Sequence, residues 1–165
     1  KAAGQPFGIG PGAPNYIERL ESSLLSIGAD TLWDSDPYEA GLDKMLNLDR
    51  EDDFIDKAAL RALASSGSRR KLVAIVFEGD PIEPNEHPWP IFIDRNRVGS
   101  VRSAGYSPRR KSNIGFALID RAHQDEGTML DIRNGQQSFL GEIVKFPIVE
   151  PGTPLPDDDW DIELI

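Results

Sequence analysis

The sequence predicts an α+β fold that is mainly β, with an N-terminal helical segment followed by a small antiparallel six-stranded β-barrel. Apolar residues recur at helical spacing only near the start of the chain. From residue 70 onward the apolar runs are short, rich in Val and Ile, and closely spaced. The 13 prolines and 15 glycines among 165 residues supply many turns. A β-sandwich has a similar strand pattern, so the strands alone leave barrel and sandwich open.

Two helices are predicted in the first 66 residues. The first spans residues 14–27, because Pro14 suits a first helical turn and an apolar stripe follows it. The stripe consists of Ile17, Leu20, Leu24 and Ile27. The second helix spans residues 56–66, which are strong helix formers. Between the helices, a short strand is expected within residues 38–48.

Six short strands are expected in residues 70–150. They are residues 72–77, 91–93, 98–101, 114–119, 129–132 and 139–149. Residues 94–97 and the pair Asn134–Gly135 are hairpin turn signals. Residues 81–90 carry four prolines and are predicted to be loop, since proline donates no ladder hydrogen bond. Residues 151–165 form an acidic tail whose apolar members suit docking onto a surface.

Charge and composition exclude several classes of protein. A net charge of −10 disfavours nucleic-acid binding, because backbone phosphates repel the chain. The absence of cysteine excludes disulfides, zinc–thiolate sites and cysteine nucleophiles, and fits a cytoplasmic protein. No run approaches the roughly 20 apolar residues that span a bilayer, so no membrane partner is expected. The chain begins with Lys1, which we expect is not the natural start.

Individual motifs point to no catalytic residue and no metal site. Residues 8–12, inside the loop predicted for 1–13, are Gly-rich but lack the preceding strand of a dinucleotide fingerprint. The two histidines, His87 and His123, fall in separate predicted loops, whereas metal sites need convergent ligands. Carboxylates spaced four apart are assigned structural or solvated roles. They are Glu39 with Asp43, and Asp49 with Asp53.

One basic cluster opposes the sign of the whole chain. It consists of Arg109, Arg110 and Lys111, in a predicted loop before a strand. Its charge suits two roles equally, contact with an anionic ligand tail or a salt-bridged contact between domains.

Seven segments, taken in order, resemble the C-terminal half of the glycine-cleavage T-protein family. They are RLESSL with GAD at 19–30, PYEAGL at 37–42, DFIDKAAL at 53–60, RKLV at 70–73, VGSVRSA at 98–104, SPRRKSNIG at 107–115 and GT at 127–128. Asp56 replaces a family glycine in the third segment. The resemblance extends to about Val149.

The resemblance implies a three-domain cloverleaf with tetrahydrofolate near its centre. Residues 1–66 would then end the folate-binding region, and residues 70–150 would form the C-terminal barrel domain. Family members transfer a one-carbon unit to tetrahydrofolate from an N-, S- or O-methyl group or a lipoyl aminomethyl group. The family's catalytic Asp lies in an N-terminal part outside this sequence. We therefore expect a missing N-terminal folate-binding region or subunit, a small-molecule methyl donor, and no activity from this part alone.

The resemblance also implies the folate contacts. They are Asn15, Arg19, Glu21, Arg109 and Lys111. The T-protein proper has Arg where this chain has Asn15, and an amide cannot make the same charged contact. This favours the dimethylsulfoniopropionate and O-demethylase branch. Two alternatives remain: a non-catalytic cover or interaction barrel domain of a larger assembly, and a free-standing barrel that binds an acidic ligand at the basic cluster.

Overall fold

In the computed structural model, the described residues are Pro6 and residues 15–155. The strands are β1 (Arg70–Phe77), β2 (Trp89–Ile93), β3 (Asn96–Ser107), β4 (Ser112–Asp120), β5 (Met129–Asn134) and β6 (Gln137–Val144). Every pairing is antiparallel, and the strands close into a barrel in the order β1-β4-β3-β2-β5-β6. The predicted mainly-β fold with a six-stranded barrel is confirmed, and the sandwich alternative is wrong.

The barrel has an interior core and a second apolar layer on its outer wall. Thirteen buried side chains, among them Ile75, Ile91, Val101 and Ile132, form the interior cluster. The outer layer covers β1 and β4, where Leu72 and Phe116 pack against residues from outside the barrel. These two strands are buried on both faces, which explains their continuous apolar runs. The C-terminal half of β6 instead alternates buried with less buried residues, as expected where one face meets solvent.

The first helix is shorter than predicted. Helix α1 spans Tyr16–Glu21, not residues 14–27. Ser23 has a φ of 63°, and the N–H groups of Ser23 and Leu24 bond back to the carbonyls of Leu20 and Arg19. These two bonds form a Schellman C-cap, which ends a helix. The predicted apolar stripe is therefore broken, and Leu24 and Ile27 are exposed.

The strand predicted within residues 38–48 is wrong. The segment forms turns and a 3₁₀ helix, Asp43–Met45, because the Asp36 carboxylate accepts the N–H groups of Tyr38 and Glu39 and folds the chain into a turn. Helix α2 spans Lys57–Ser66, close to the predicted 56–66.

The proline-rich loop is shorter than predicted, because β2 begins at Trp89 and includes Pro90. Pro90 pairs with Ser100 of β3, whereas β5 pairs only with Ile91 and Phe92. At Pro90, β2 therefore pairs with β3 alone. Because β5 does not pair at this position, the missing proline N–H breaks no hydrogen bond to β5. Each predicted hairpin has a two-residue turn, Asp94–Arg95 with both φ positive and Gly135–Gln136, one residue later than predicted.

Some predictions fall outside the described part of the chain. They are the loop over residues 1–13 with its Gly-rich motif, the helix start at Pro14, and the acidic tail beyond Leu155. Among the described residues, no helix is long and apolar enough to cross a membrane.

Candidate functional site

Three groups of charged side chains join the N-terminal segment (residues 15–66) to the outer wall of the barrel. We call this contact the junction. Its first group is centred on Asp30, which is fully buried. One Asp30 oxygen accepts from Arg19 Nη1 at 2.8 Å and from the Ser26 N–H at 2.6 Å, and the other accepts from the Ser103 hydroxyl. Arg19 Nη2 also donates to Ser103 Oγ at 3.0 Å, so α1, the following loop and β3 share one network.

The second group is centred on Glu21 at the end of α1. This carboxylate is 4% exposed, accepts from the Ser107 hydroxyl at 2.6 Å, and pairs with Arg109. Arg109 also lies 3.6 Å from Glu18. A buried carboxylate needs such partners, because burial disfavours an isolated charge. Arg109 thus makes a salt-bridged contact between the N-terminal segment and the barrel, one of the two roles that its charge allowed.

The third group joins Glu39 to the first strand. Arg70 donates to both Glu39 oxygens, from Nε at 3.0 Å and Nη2 at 2.9 Å, and Nη2 also lies 3.4 Å from Asp34. The Leu72 N–H donates to the Glu39 carbonyl at 2.7 Å. The hydrogen bond from Glu39 raises the pKa of Arg70 above its ordinary value. Glu39, whose spacing from Asp43 predicted a structural or solvated role, is thus a buried residue that anchors β1.

The five predicted folate contacts do not converge on one site. Arg19, Glu21 and Arg109 belong to the junction groups. Asn15 is exposed and caps α1, accepting the Glu18 N–H at 2.8 Å in a capping box. Lys111 is exposed in the β3–β4 turn with a φ of 53° and lines a different groove.

Three buried junction residues were not predicted as site residues. Asp30, Ser103 and Ser107 are buried, and each bonds to a predicted site residue. All three fall inside the family-like segments, yet no spacing rule pairs α1 with residues more than 80 positions away. The only signal in the sequence was Asp30, a charged residue in the short GAD motif after the predicted helix.

A second concave region lies at one end of the barrel. The loop of residues 78–88 connects β1 to β2, which are not neighbours in the barrel, so it crosses the barrel end. Two asparagines hold it. Buried Asn113 accepts the Ile82 N–H at 3.1 Å and donates to the Asp80 carbonyl at 3.0 Å, while Asn85 accepts the Ala104 N–H at 2.5 Å. The loop and the β5–β6 hairpin enclose a groove of about 900 Å³.

His87 lines this groove, while His123 ends a 3₁₀ helix, Arg121–His123, elsewhere. The described residues contain no group of three or more His, Cys, Asp or Glu side chains arranged to hold a metal ion.

Beside the groove, Asp131 titrates below the ordinary aspartate range. Its carboxylate accepts from Arg133 and from Ser138, and these hydrogen bonds lower its pKa. Since the folded-state pKa is lowered, its stabilising contribution is present above about pH 4 and is lost as pH falls through the lower folded value. NMR titration should therefore find a lowered pKa for Asp131, and Ser138→Ala should raise it part of the way back. A Ser138→Ala variant with an unchanged Asp131 pKa would contradict this.

Comparison with known proteins shows the family to which the barrel sequence is similar. Residues 70–150, the whole of the barrel, match the sequence model described as the glycine cleavage T-protein C-terminal barrel domain. The chain belongs to the glycine cleavage T-protein family. A dimethylsulfoniopropionate demethylase of Ruegeria pomeroyi is 40% identical over 131 residues, which are 79% of this chain and 35% of that protein. An aminomethyltransferase of Listeria welshimeri is 38% identical over 141 residues, 84% of this chain and 38% of that protein.

A solved structure shares the fold. The glycine cleavage system aminomethyltransferase T from Bartonella henselae superposes with a TM-score of 0.73 at 22% identity, over 81% of this chain and 37% of that one. This chain therefore spans between a third and two fifths of the length of these relatives. Both sequence matches cover more residues than the barrel domain has, so they include part of the N-terminal segment.

Proposed function

We propose that this chain is the C-terminal part of a tetrahydrofolate-dependent methyl- or aminomethyltransferase. The observation that carries the proposal is the similarity at 38–40% identity over about four fifths of the chain to a demethylase and to an aminomethyltransferase. The substitution of Asn15 for a T-protein Arg favours a demethylase that takes a methyl group from a small sulfonium or ether substrate. Tetrahydrofolate, when bound, supplies the amine that accepts the one-carbon unit.

The proposed task of this part is support for the folate site. Folate carries an anionic glutamate tail and a pterin ring with several donors and acceptors, so its site needs cations and amides. Arg19 and Arg109 already pair with Asp30 and Glu21, which suits them to hold α1 in place. Asn15 is the exposed residue at the end of that held helix and fits a direct contact. Lys111 would contact folate only if the glutamate tail extended across the barrel.

Exposed apolar side chains on the N-terminal segment support the proposed partner. Ile27 is 79% exposed, Trp33 92%, Met45 80% and Ile55 89%. Four large apolar side chains that exposed within one segment are unusual, since apolar groups gain about 25 cal/mol per Å² when they leave water. We propose that the missing N-terminal folate-binding region or subunit covers these side chains. A non-catalytic cover domain for another subunit would use the same side chains, so activity must separate the two.

The test uses the complete protein encoded by the natural reading frame. Titration calorimetry should show tetrahydrofolate binding, and incubation with tetrahydrofolate and dimethylsulfoniopropionate should yield methyltetrahydrofolate, whereas the 165-residue chain alone should yield none. A lipoyl aminomethyl donor tests the glycine-cleavage reaction in parallel. Absence of folate binding by the complete protein would contradict the enzyme and leave the cover domain.

Asn15 permits a matched test of the contact. Serine caps a helix about as well as asparagine, so Asn15→Ser keeps α1 and removes only the amide. We expect unchanged urea stability and a folate dissociation constant raised by roughly tenfold, the effect of one lost hydrogen bond of about 1.4 kcal/mol. Glu18→Gln, which alters the same helix turn, is the control and should bind folate normally. Equal affinity in Asn15→Ser and the unmodified protein would remove Asn15 from the site.

A further inference from the structure

The groove of about 900 Å³ at the end of the barrel shares no lining residue with the junction groups or the proposed folate contacts. We call it the barrel-end groove. Its lining comes from residues 79–90 on one side and from residues 133–135 and 137–139 of the β5–β6 hairpin on the other. Strands β2 and β5 form only two residue pairs, and their ladder stops before Pro90 and Arg133, which both line the groove. The groove is therefore the open mouth of the barrel between two separating strands, a place where barrels often bind ligands.

The floor of the barrel-end groove is aromatic. Trp89 and Phe139 line it and stack, with ring centroids 5.8 Å apart and an angle of 11° between the ring planes. Phe77 packs edge-on against both rings, with centroids at 6.3 Å and 5.6 Å. Trp89 is only 8% exposed, so the stacked pair lies at the bottom of the groove rather than on its rim. A ligand that reaches the floor therefore meets a fixed apolar surface, which favours aliphatic groups.

Three carboxylates line the loop wall of the groove. Asp80, Glu83 and Glu86 are all exposed. In the described part of the chain, none of these carboxylates lies within 4.0 Å of a Lys, Arg or His nitrogen. Arg133 lies on the hairpin wall, but it already pairs with Asp131. The groove therefore has an unbalanced negative potential, which attracts cations.

The loop that carries these carboxylates is held in place before any ligand arrives. Its backbone is restrained by the two asparagine anchors, Asn85 and Asn113, and by three prolines, which fix φ. Asn85 also donates to the His87 carbonyl at 2.9 Å within the loop. A loop that is ordered beforehand loses little conformational entropy on binding, so more of the contact energy contributes to affinity.

The shape and charge of the groove favour an extended polymer over a metal ion or an enclosed small molecule. Most of the lining residues are exposed, so the groove is an open channel. No group of side chains among the described residues is arranged to hold a metal ion. In an extended peptide successive side chains point to opposite sides, so alternating basic and apolar residues give one cationic side and one apolar side. Such a segment matches the acidic wall and the aromatic floor at the same time.

We propose that the barrel-end groove binds an extended basic segment of a partner protein, in which Lys or Arg alternates with apolar residues. The charged heads of the segment pair with Asp80, Glu83 and Glu86, and its apolar residues pack on the Trp89–Phe139 pair. The segment is opposite in sign to the net charge of −10, so long-range attraction also speeds the encounter. This interaction goes beyond one-carbon transfer and does not depend on the proposed function.

Fluorescence anisotropy with a defined probe tests the proposal. The probe is a short labelled peptide that alternates Arg with Leu, and the protein is the 165-residue chain. We expect saturable binding whose dissociation constant rises roughly fivefold in the double variant Glu83→Gln with Glu86→Gln, since two exposed charge contacts are lost. A probe with Ser in place of Leu should also bind roughly fivefold more weakly, because it leaves the apolar floor uncovered.

Asp125→Asn with Glu126→Gln is the matched control, because it removes two exposed carboxylates shortly before β5 begins, whereas the groove lies where β5 ends. It should change the dissociation constant by less than about twofold, since distant exposed charges are screened by salt, and circular dichroism should show that both double variants are folded. Equal weakening by both double variants would show attraction to net charge alone and would overturn the proposal. Absence of saturable binding would overturn it too. So would displacement of the probe by spermine at a lower concentration than by the unlabelled peptide, which would assign the groove to a small polyamine.

The complete protein decides whether the groove is free for a partner. It should bind the probe as tightly as the 165-residue chain does. Loss of probe binding in the complete protein would mean that another part of the same protein covers the groove, and the partner would then be excluded.

Discussion

Asp30→Ala should lower the free energy of unfolding by about 3–5 kcal/mol, the usual cost of removing one member of a buried ion pair. The substitution leaves the Arg19 guanidinium and the Ser103 hydroxyl without their shared acceptor. The loss should fall near 3 kcal/mol, because the Arg19 side chain keeps 14% exposure and regains some hydration. Urea denaturation followed by circular dichroism measures the loss, and faster amide exchange in α1 should show where the structure opens.

Two further variants separate this effect from a general loss of charge. Asp52→Ala removes a pair with Arg50 whose side chains are 57% and 76% exposed, and should cost less than about 1 kcal/mol. Arg19→Met combined with Asp30→Leu removes both charges and should cost less than Asp30→Ala alone, since no charge is left unpaired. A loss for Asp30→Ala no larger than for Asp52→Ala would mean that the first junction group does not hold the segment.

Phe116→Ala should cost about 3–5 kcal/mol, the range for emptying a buried aromatic site. Phe116 is fully buried on the outer wall of β4, and its ring centroid lies 5.6 Å from that of Phe146. It belongs to the apolar layer that includes Leu20 of α1, so the cavity opens beneath the N-terminal segment. Urea denaturation should show the loss, and Phe116→Leu should recover more than half of it because most of the volume is restored.

Trp33→Ala is the control for this second prediction. Trp33 is 92% exposed in the described structure, so its truncation should change the unfolding free energy of this chain by less than about 0.5 kcal/mol. In the complete protein the same substitution should be costly, provided that the proposed folate-binding region covers it. A loss in this chain as large as that for Phe116→Ala would contradict the burial pattern on which the apolar layer rests.

Together these variants probe the polar and apolar halves of one contact. Gly105 lies in β3 where a Cβ would come within 2.5 Å of Ile17 Cδ1, so α1 lies directly against the strand. This close approach explains why small shifts at Asp30 or Phe116 should be transmitted to Asn15 at the start of α1. In the complete protein, weaker folate binding by both variants with chemistry unchanged in the bound state is the pattern expected of positioning residues.

The sequence by itself determined the strand number, both hairpins and α2. Each is a local pattern: β-branched runs separate at turns, and Asp94–Arg95 and Gly135 adopt the positive φ that tight hairpins require. The order of the family-like segments was also enough to identify the family. The local signals left barrel and sandwich open, and the family resemblance implied the barrel.

Only the tertiary structure decided what the charged motif residues do. The apolar stripe predicted α1 to continue to residue 27, but the Schellman cap ends it at Glu21 and Asp30 draws the following loop onto β3. From the sequence, Glu39 had a structural or solvated role and Arg109 had two equal roles. Their partners lie 31 and 88 residues away along the chain, and only the fold places them side by side. Burial and pairing across such distances depend on how the barrel closes, and no spacing along the chain encodes that closure.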